Sequence, residues 1–289
     1  MNNKHKNIII LGTSSGAGKS IITTGLCRIF YKDGYKVAPF KAQNMSRNFA
    51  VIKDNKKIAI SQVLQGVACG LEPEPWMNPI LLMPKGEGNI DIILGGEEFS
   101  HSTGEWYSKN KTLFKKYLSE YYENAKEFEI CVLEGAGSPV EINIKENDIV
   151  NMNMAKMVGA KAILVADIDR GGVFASILGT YMLLDEEEKK LLKGIVINKF
   201  RGKKDILQKG IDEIEKLTGV KVLGVVPYEM IDIEDEDGLI SKRDTEDIKK
   251  RCGDKSFEEY REEQFDKLEN LLRENLDIDY IYKILDGER

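Results

Sequence analysis

Gly12-Thr13-Ser14-Ser15-Gly16-Ala17-Gly18-Lys19-Ser20 follows the apolar run Ile8-Ile9-Ile10-Leu11 and precedes an apolar-periodic stretch that begins near Ile21. Strand, glycine-rich loop, Gly-Lys-Ser and helix in that order make a phosphate-binding P-loop. The order has a physical reason. Gly16 and Gly18 let successive backbone N–H groups turn toward one point, and the helix N-terminus adds the positive end of its dipole. Lys19 brings a point charge to the outer phosphates of a nucleotide, and the Ser20 hydroxyl is a hard oxygen ligand suited to Mg2+. Thr13, Ser14, Ser15, Gly16, Ala17, Gly18, Lys19 and Ser20 are therefore the expected cradle for ATP.

The composition sets limits around that motif. At 289 residues, with 42% apolar and 31% charged residues, the chain suits one large α/β domain plus an appendage. A net charge of −6 argues against nucleic acid as the main partner, because phosphate backbones need a concentrated basic face. No apolar run reaches the length of a membrane span, and residues 1–7 are too short and polar for a signal peptide. Cys27, Cys69, Cys131 and Cys252 form no CxxC pair and read as buried free thiols of a cytoplasmic protein. Only His5 and His101 are available as histidines, a count that argues against a histidine metal site or a Ser/His/Asp triad, and both read as exposed loop residues.

Further strands are expected at 37–40, 130–133, 162–166, 194–197 and 222–226, and helices at 19–32, 57–69, 109–125, 148–158, 173–191 and 203–217. The strands are continuously apolar and not alternating, as in a parallel sheet covered on both faces. The fold class is thus a doubly wound, mostly parallel α/β P-loop domain with ligands at the carboxyl ends of its strands. That domain is assigned to residues 1–230. An acidic and polar linker follows at 231–256, and Phe257, Tyr260, Phe265, Leu268, Leu271, Leu272 and Leu276 recur at helical spacing in a tail at 257–289.

Polar residues cluster where those strands end. Lys41-Ala-Gln-Asn-Met-Ser46 follows one, Glu134-Gly-Ala-Gly-Ser138 the next, then Asp167-Ile-Asp-Arg-Gly-Gly172 and Asn198-Lys-Phe-Arg201. Glu134 is placed to complete a Mg2+ shell with Ser20. Lys41 would put a second cation near a transferred phosphoryl group, where charge develops. Asn198 can read an adenine edge through its paired donor and acceptor, and Pro227 would line the same pocket. Gln43, Asn44, Ser46, Asn48 and Arg170 bring amide, hydroxyl and cationic groups to the same rim, and Asp167 and Asp169 bring carboxylates.

These residues carry a resemblance. The loop has its first glycine at Gly12, one place earlier than usual, and this longer form is similar to that of dethiobiotin synthetase. Partition-type ATPases have a lysine where Ser14 stands, so a positioning switch is disfavoured. The stretches 12–20, 37–51, 77–82, 133–152, 165–176 and 196–202, with Lys-Ala-Gln-Asn-Met-Ser and Asp-Ile-Asp-Arg-Gly-Gly-Val-Phe, resemble the cobyric acid synthase family from about residue 7 to 230. The resemblance implies ATP- and Mg2+-dependent amidation of corrin-ring carboxylates through an acyl phosphate, in cobalamin biosynthesis. Family members add a glutaminase domain with a Gly-x-Cys-x-Gly elbow and a His-x-Glu pair. No cysteine or histidine of this chain has that setting, and 257–285 is similar to the family's last helix, as if a middle had been lost around 238–256. Ammonia would then come from outside the chain, either free or from a separate glutaminase subunit, and a homodimer is left open. The family has an arginine where Ile60 stands and a lysine where Met83 stands. The other reading is a degenerate nucleotide-binding module that regulates or scaffolds corrinoid enzymes.

Overall fold

Apolar runs such as Ile8-Ile9-Ile10-Leu11 are stable only if both faces of their sheet are covered, and they are. A computed structural model describes residues 5–234 and 245–289. The chain begins β1 (Lys6–Gly12), α1 (Lys19–Lys32), β2 (Val37–Phe40), β3 (Gln43–Met45), β4 (Phe49–Val51), β5 (Lys57–Ala59) and α2 (Ile60–Ala68). It continues β6 (Ile80–Gly86), β7 (Asn89–Leu94), β8 (Glu97–Thr103), α3 (Gly104–Asn110), α4 (Lys115–Tyr122), β9 (Ile130–Glu134) and α5 (Met152–Val158). Then come β10 (Lys161–Asp167), α6 (Val173–Leu183), α7 (Glu186–Leu191), β11 (Leu192–Phe200), α8 (Gln208–Thr218) and β12 (Val222–Pro227). The last described elements are α9 (Thr245–Lys249), α10 (Phe257–Asn275) and α11 (Ile278–Leu285).

Among the described residues, a six-stranded sheet has the order β12-β11-β10-β1-β9-β2, with every pairing parallel. Ile8, Ile10, Ile130, Val132, Ile163 and Val165 face α1, α2, α10 and α11, while Ile9, Leu11, Leu133 and Leu164 face a second core with α5, α6 and α8. The doubly wound, mostly parallel P-loop architecture is thus the one the apolar runs imply.

The segment between 40 and 130 differs from expectation. β3 pairs parallel with β6, and β6, β7 and β8 form an antiparallel extension, while β4 and β5 make a small hairpin. The stretch read as a loop around His101 is the edge strand β8, whose polar residues face water on most of its length. The helix expected at 57–69 begins at Ile60, because 57–59 is strand, and the one expected at 109–125 is broken into short helical pieces. Leu184 interrupts 173–191, where Asp185 opens α7 with a capping box to Glu188. His5 is not exposed: its ring lies 2.8 Å from Tyr122 Oη and 2.7 Å from the Phe128 carbonyl.

The tail belongs to the main core. Phe265, Leu268 and Leu272 of α10 are fully buried, and a Cβ on Gly25 of α1 would lie 2.3 Å from Leu272 Cδ1. Arg28 of α1 is buried and is held by Asp266 at 2.6 Å and Glu262 at 2.7 Å. Burial opposes its charge, yet the two carboxylates keep its pKa above the ordinary arginine value. Ile231 and Ile233, at the start of the stretch read as linker, are buried in this same core, and 235–244 lies outside the described residues. Leu272→Ala should therefore cost about 2–5 kcal/mol in a urea melt of the whole chain. A tail that folds apart from the P-loop domain would instead leave the main transition unchanged.

Candidate nucleotide and metal site

The sheet register brings the expected residues to one rim. Glu134 ends β9 beside Ile10, Gly12 ends β1 beside Val165, and Asp167 of β10 is paired with Asn198 of β11. Lys41 follows β2, whose Phe40 is in register with Leu133. The rim is the carboxyl edge of a parallel sheet, where the doubly wound folds bind ligands.

The P-loop itself is braced from β11. Gly16 and Gly18 have φ values of 69° and 99°, and Gly18 caps α1 in the left-handed conformation. A Cβ at Gly18 would lie 2.0 Å from Asn198 Nδ2, so the close approach also needs glycine. Asn198 Nδ2 donates to the Ala17 carbonyl at 3.0 Å, so in this structure its donor supports the loop. Lys199 Nζ donates to the Gly16 carbonyl at 2.5 Å and to Asp167 Oδ2 at 2.9 Å. Lys19 Nζ reaches across to the Ser14 carbonyl at 3.0 Å and the Gly137 carbonyl at 3.1 Å. Phosphate oxygens are stronger partners for an ammonium than neutral carbonyls, and Lys19 stands at a helix N-terminus, where an anion is favoured.

Glu134 is the centre of the site. Its side chain is 1% exposed, and Oε1 accepts from Ser20 Oγ at 2.8 Å and from Lys41 Nζ at 2.9 Å. Oε2 accepts from Gln65 Nε2 at 2.5 Å. A buried carboxylate is tolerated only when paired and hydrogen-bonded, and these three donors meet that need. The Ser20–Glu134 contact also fits the demands of Mg2+, which takes few protein oxygens and keeps several waters. Among the described residues no group of three or more His, Cys, Asp or Glu forms an all-protein metal cage.

The other expected residues divide. Gln43 and Asn44 are buried beside the rim, with Gln43 Oε1 accepting from Tyr107 Oη at 2.8 Å and Asn44 Nδ2 donating to Ser61 Oγ at 3.4 Å. Ser46 is buried and its Oγ accepts from the Asn48 backbone N–H at 2.9 Å, while Asn48 itself is exposed. Asp167 Oδ1 accepts from the Asp169 N–H at 2.8 Å, and Asp169 pairs with Arg201 at 2.8 Å. Arg170 is exposed and lies near Gly16, 3.9 Å from Asp167. Pro227 ends β12 in register with Phe200, half-buried at the edge of the rim.

Several residues around these were not anticipated. Gln62 and Gln65 stand at i and i+3 on a helix that is otherwise apolar apart from Ser61, a spacing that could have signalled a shared inward face. Lys199 has φ 62°, an uncommon conformation for a non-glycine residue, and it braces the loop from outside the motif. Asn151 Nδ2 donates to the Ala136 carbonyl at 2.9 Å and its Oδ1 accepts the Ala136 N–H at 3.0 Å, which fixes the turn after Glu134. All four cysteines are free and buried, and burial pushes the Cys27 and Cys131 thiols up, so neither is an activated nucleophile.

Sheet, loop and carboxylate together define a P-loop nucleotide-binding domain. The chain belongs to the CobQ/CobB/MinD/ParA nucleotide binding domain family, whose model matches residues 8–238. It is 52% identical over 234 residues to the cobyric acid synthase of Clostridium botulinum strain ATCC 19397 and 51% identical over 238 residues to that of Clostridium tetani. Those alignments take in 81% and 82% of this chain and 48% of each relative, so the chain spans about half the length of the curated relatives it matches. A solved MinC:MinD cell division complex from Aquifex aeolicus aligns with 78% of this chain and 82% of that one, at 15% identity and a TM-score of 0.43. No described helix is long and apolar enough to cross a membrane.

The Lys41–Glu134 pair can be tested by stability alone. Lys41→Met should cost about 3–5 kcal/mol, because it leaves a buried carboxylate short of its cation. The double variant with Glu134→Gln should lose clearly less than the sum of the two singles. Additive losses in a chemical-denaturation cycle would show that the pair is not coupled.

Proposed function

We propose that this chain is the ATP-dependent amidoligase portion of a cobyric acid synthase, converting side-chain carboxylates of cobyrinic acid a,c-diamide to amides in cobalamin biosynthesis. The observation that carries the reading is the shared contact of Ser20 and Lys41 on one oxygen of Glu134, beside the P-loop lysine. Identity of about half the residues to named cobyric acid synthases adds to it.

The roles follow from charge. Residues 13–20 hold the ATP phosphates, with Lys19 leaving its two carbonyl partners for the γ-phosphate. Ser20 and Glu134 would hold Mg2+, which supplies charge neutralisation on the phosphate oxygens. Lys41, already within reach of that point, would stabilise the charge that builds on the phosphoryl group in transfer. A corrin carboxylate oxygen attacks the γ-phosphorus, the bond to ADP breaks, and an acyl phosphate forms. Ammonia then attacks the acyl carbon, phosphate leaves, and the nitrogen loses a proton to give the amide. Gln43, Asn44, Ser46, Asn48 and Arg170 would orient the acceptor, and Asp167 or Asp169 the ammonia or the metal. No cysteine of these 289 residues stands in a Gly-x-Cys-x-Gly elbow, so ammonia would reach the site from a glutaminase outside them or free in solution. The work is that of a cytoplasmic enzyme.

Incubation with MgATP, cobyrinic acid a,c-diamide and ammonium should give phosphate release matched to corrin amide by mass spectrometry. Glutamine in place of ammonium should give neither product nor glutamate. Lys19→Ala should abolish ATP binding in calorimetry. Lys41→Met should lower kcat by about 10^2–10^3 with ATP affinity largely kept. ATP binding without any ammonium-dependent amidation would favour a degenerate nucleotide-binding module, and no binding of ATP by the unaltered chain would overturn the assignment.

A further inference from the structure

Helix α2 buries three polar side chains almost completely: Ser61 is 3% exposed, and Gln62 and Gln65 are 0% exposed. Polar groups at that depth require partners, and each is supplied by the next. Asn44 Nδ2 donates to Ser61 Oγ at 3.4 Å, and Ser61 Oγ donates to Gln62 Oε1 at 2.9 Å. Gln62 Nε2 donates to Gln65 Oε1 at 3.1 Å, and Gln65 Nε2 donates to Glu134 Oε2 at 2.5 Å. The relay has one direction. Glu134, paired with Lys41, accepts, so Gln65 must turn its NH2 to the carboxylate, and its oxygen is then met by the Gln62 NH2, with the Ser61 hydroxyl donating to the Gln62 oxygen behind it.

That direction matters because of how a glutamate rotates. Its last torsion is broad and nearly two-fold, so packing alone does not fix the plane of a carboxylate. With Oε2 held by Gln65, Oε1 is the oxygen turned to Ser20 and Lys41. We infer that Gln65 is a positioning residue that sets the Glu134 carboxylate for Mg2+, with Ser61 and Gln62 fixing its amide. The inference rests on the metal role proposed for Glu134. It adds α2, an element outside the P-loop and the strand ends, to the machinery of the site. Partners that orient a metal ligand commonly change metal affinity about 10–100-fold when removed.

The test separates metal from nucleotide. ATP is titrated into the whole chain in chelator by calorimetry, and Mg2+ is then titrated into the ATP-saturated protein, with thermal melts to confirm folding. Gln65→Met keeps the length of the side chain and removes both hydrogen bonds. It should leave metal-free ATP affinity within about twofold and weaken the Mg2+ step about tenfold or more. Ser61→Ala, a smaller change further along the relay, should weaken the Mg2+ step in the same direction by a lesser factor. A folded Gln65→Met with unchanged Mg2+ affinity overturns the inference and leaves the proposed function standing. If Gln65→Met does not fold, Ser61→Ala decides: a weakened Mg2+ step supports the relay, and an unchanged one overturns it. An unaltered chain that binds ATP with no Mg2+ response overturns the metal role of Glu134 and this inference together.

Discussion

A single buried carboxylate organises this protein. Glu134 ends the strand next to β1, with its side chain 1% exposed, and takes donors from three separate elements: Ser20 of α1, Lys41 after β2 and Gln65 of α2. An unpaired charge at that depth would be too costly to keep, so the three donors and the sheet register that delivers them form one constraint. The same arrangement leaves a carboxylate and a hydroxyl side by side at a helix N-terminus, beside the P-loop lysine. A hydroxyl and a carboxylate at a helix N-terminus are the groups that the proposed binding of phosphate and Mg2+ would use.

The rest of the fold holds that point still. α1 starts at the P-loop and is clamped along its length by α10, through the close Gly25–Leu272 contact and the buried Arg28 with its two carboxylates. β11 fixes the loop from the other side through Asn198 and Lys199. The C-terminal helices thus touch the chemistry through the helix that carries Lys19 and Ser20, although no residue of theirs stands at the rim positions described.

Much of this was legible in the sequence. The P-loop and all six strands of the parallel sheet declare themselves, because continuous apolar runs and the Gly-Lys-Ser punctuation depend only on local pattern. The place of Lys41, Glu134 and Asp167 at the rim is legible for the same reason, since each directly follows or ends such a run. The second sheet was not found. β8 is polar on nearly every residue because it is an edge, and β3, β4 and β5 are three residues each, too short to show a period. Gln62 and Gln65 were missed for a deeper reason: on sequence alone a glutamine on a helix reads as solvated, and its burial depends on where Glu134 lies in three dimensions. The Asn198–Ala17 contact was hidden likewise, because it joins residues 181 positions apart.

A crystal structure of the whole chain with Mg2+ and a non-hydrolysable ATP analogue tests the central role of Glu134 most directly. Mg2+ is expected between Ser20 Oγ and Glu134 Oε1 at about 2.0–2.1 Å, with Lys41 Nζ turned from Glu134 toward the γ-phosphate. A metal bound elsewhere, with the Lys41–Glu134 ion pair intact and Ser20 still donating to Glu134, would contradict it.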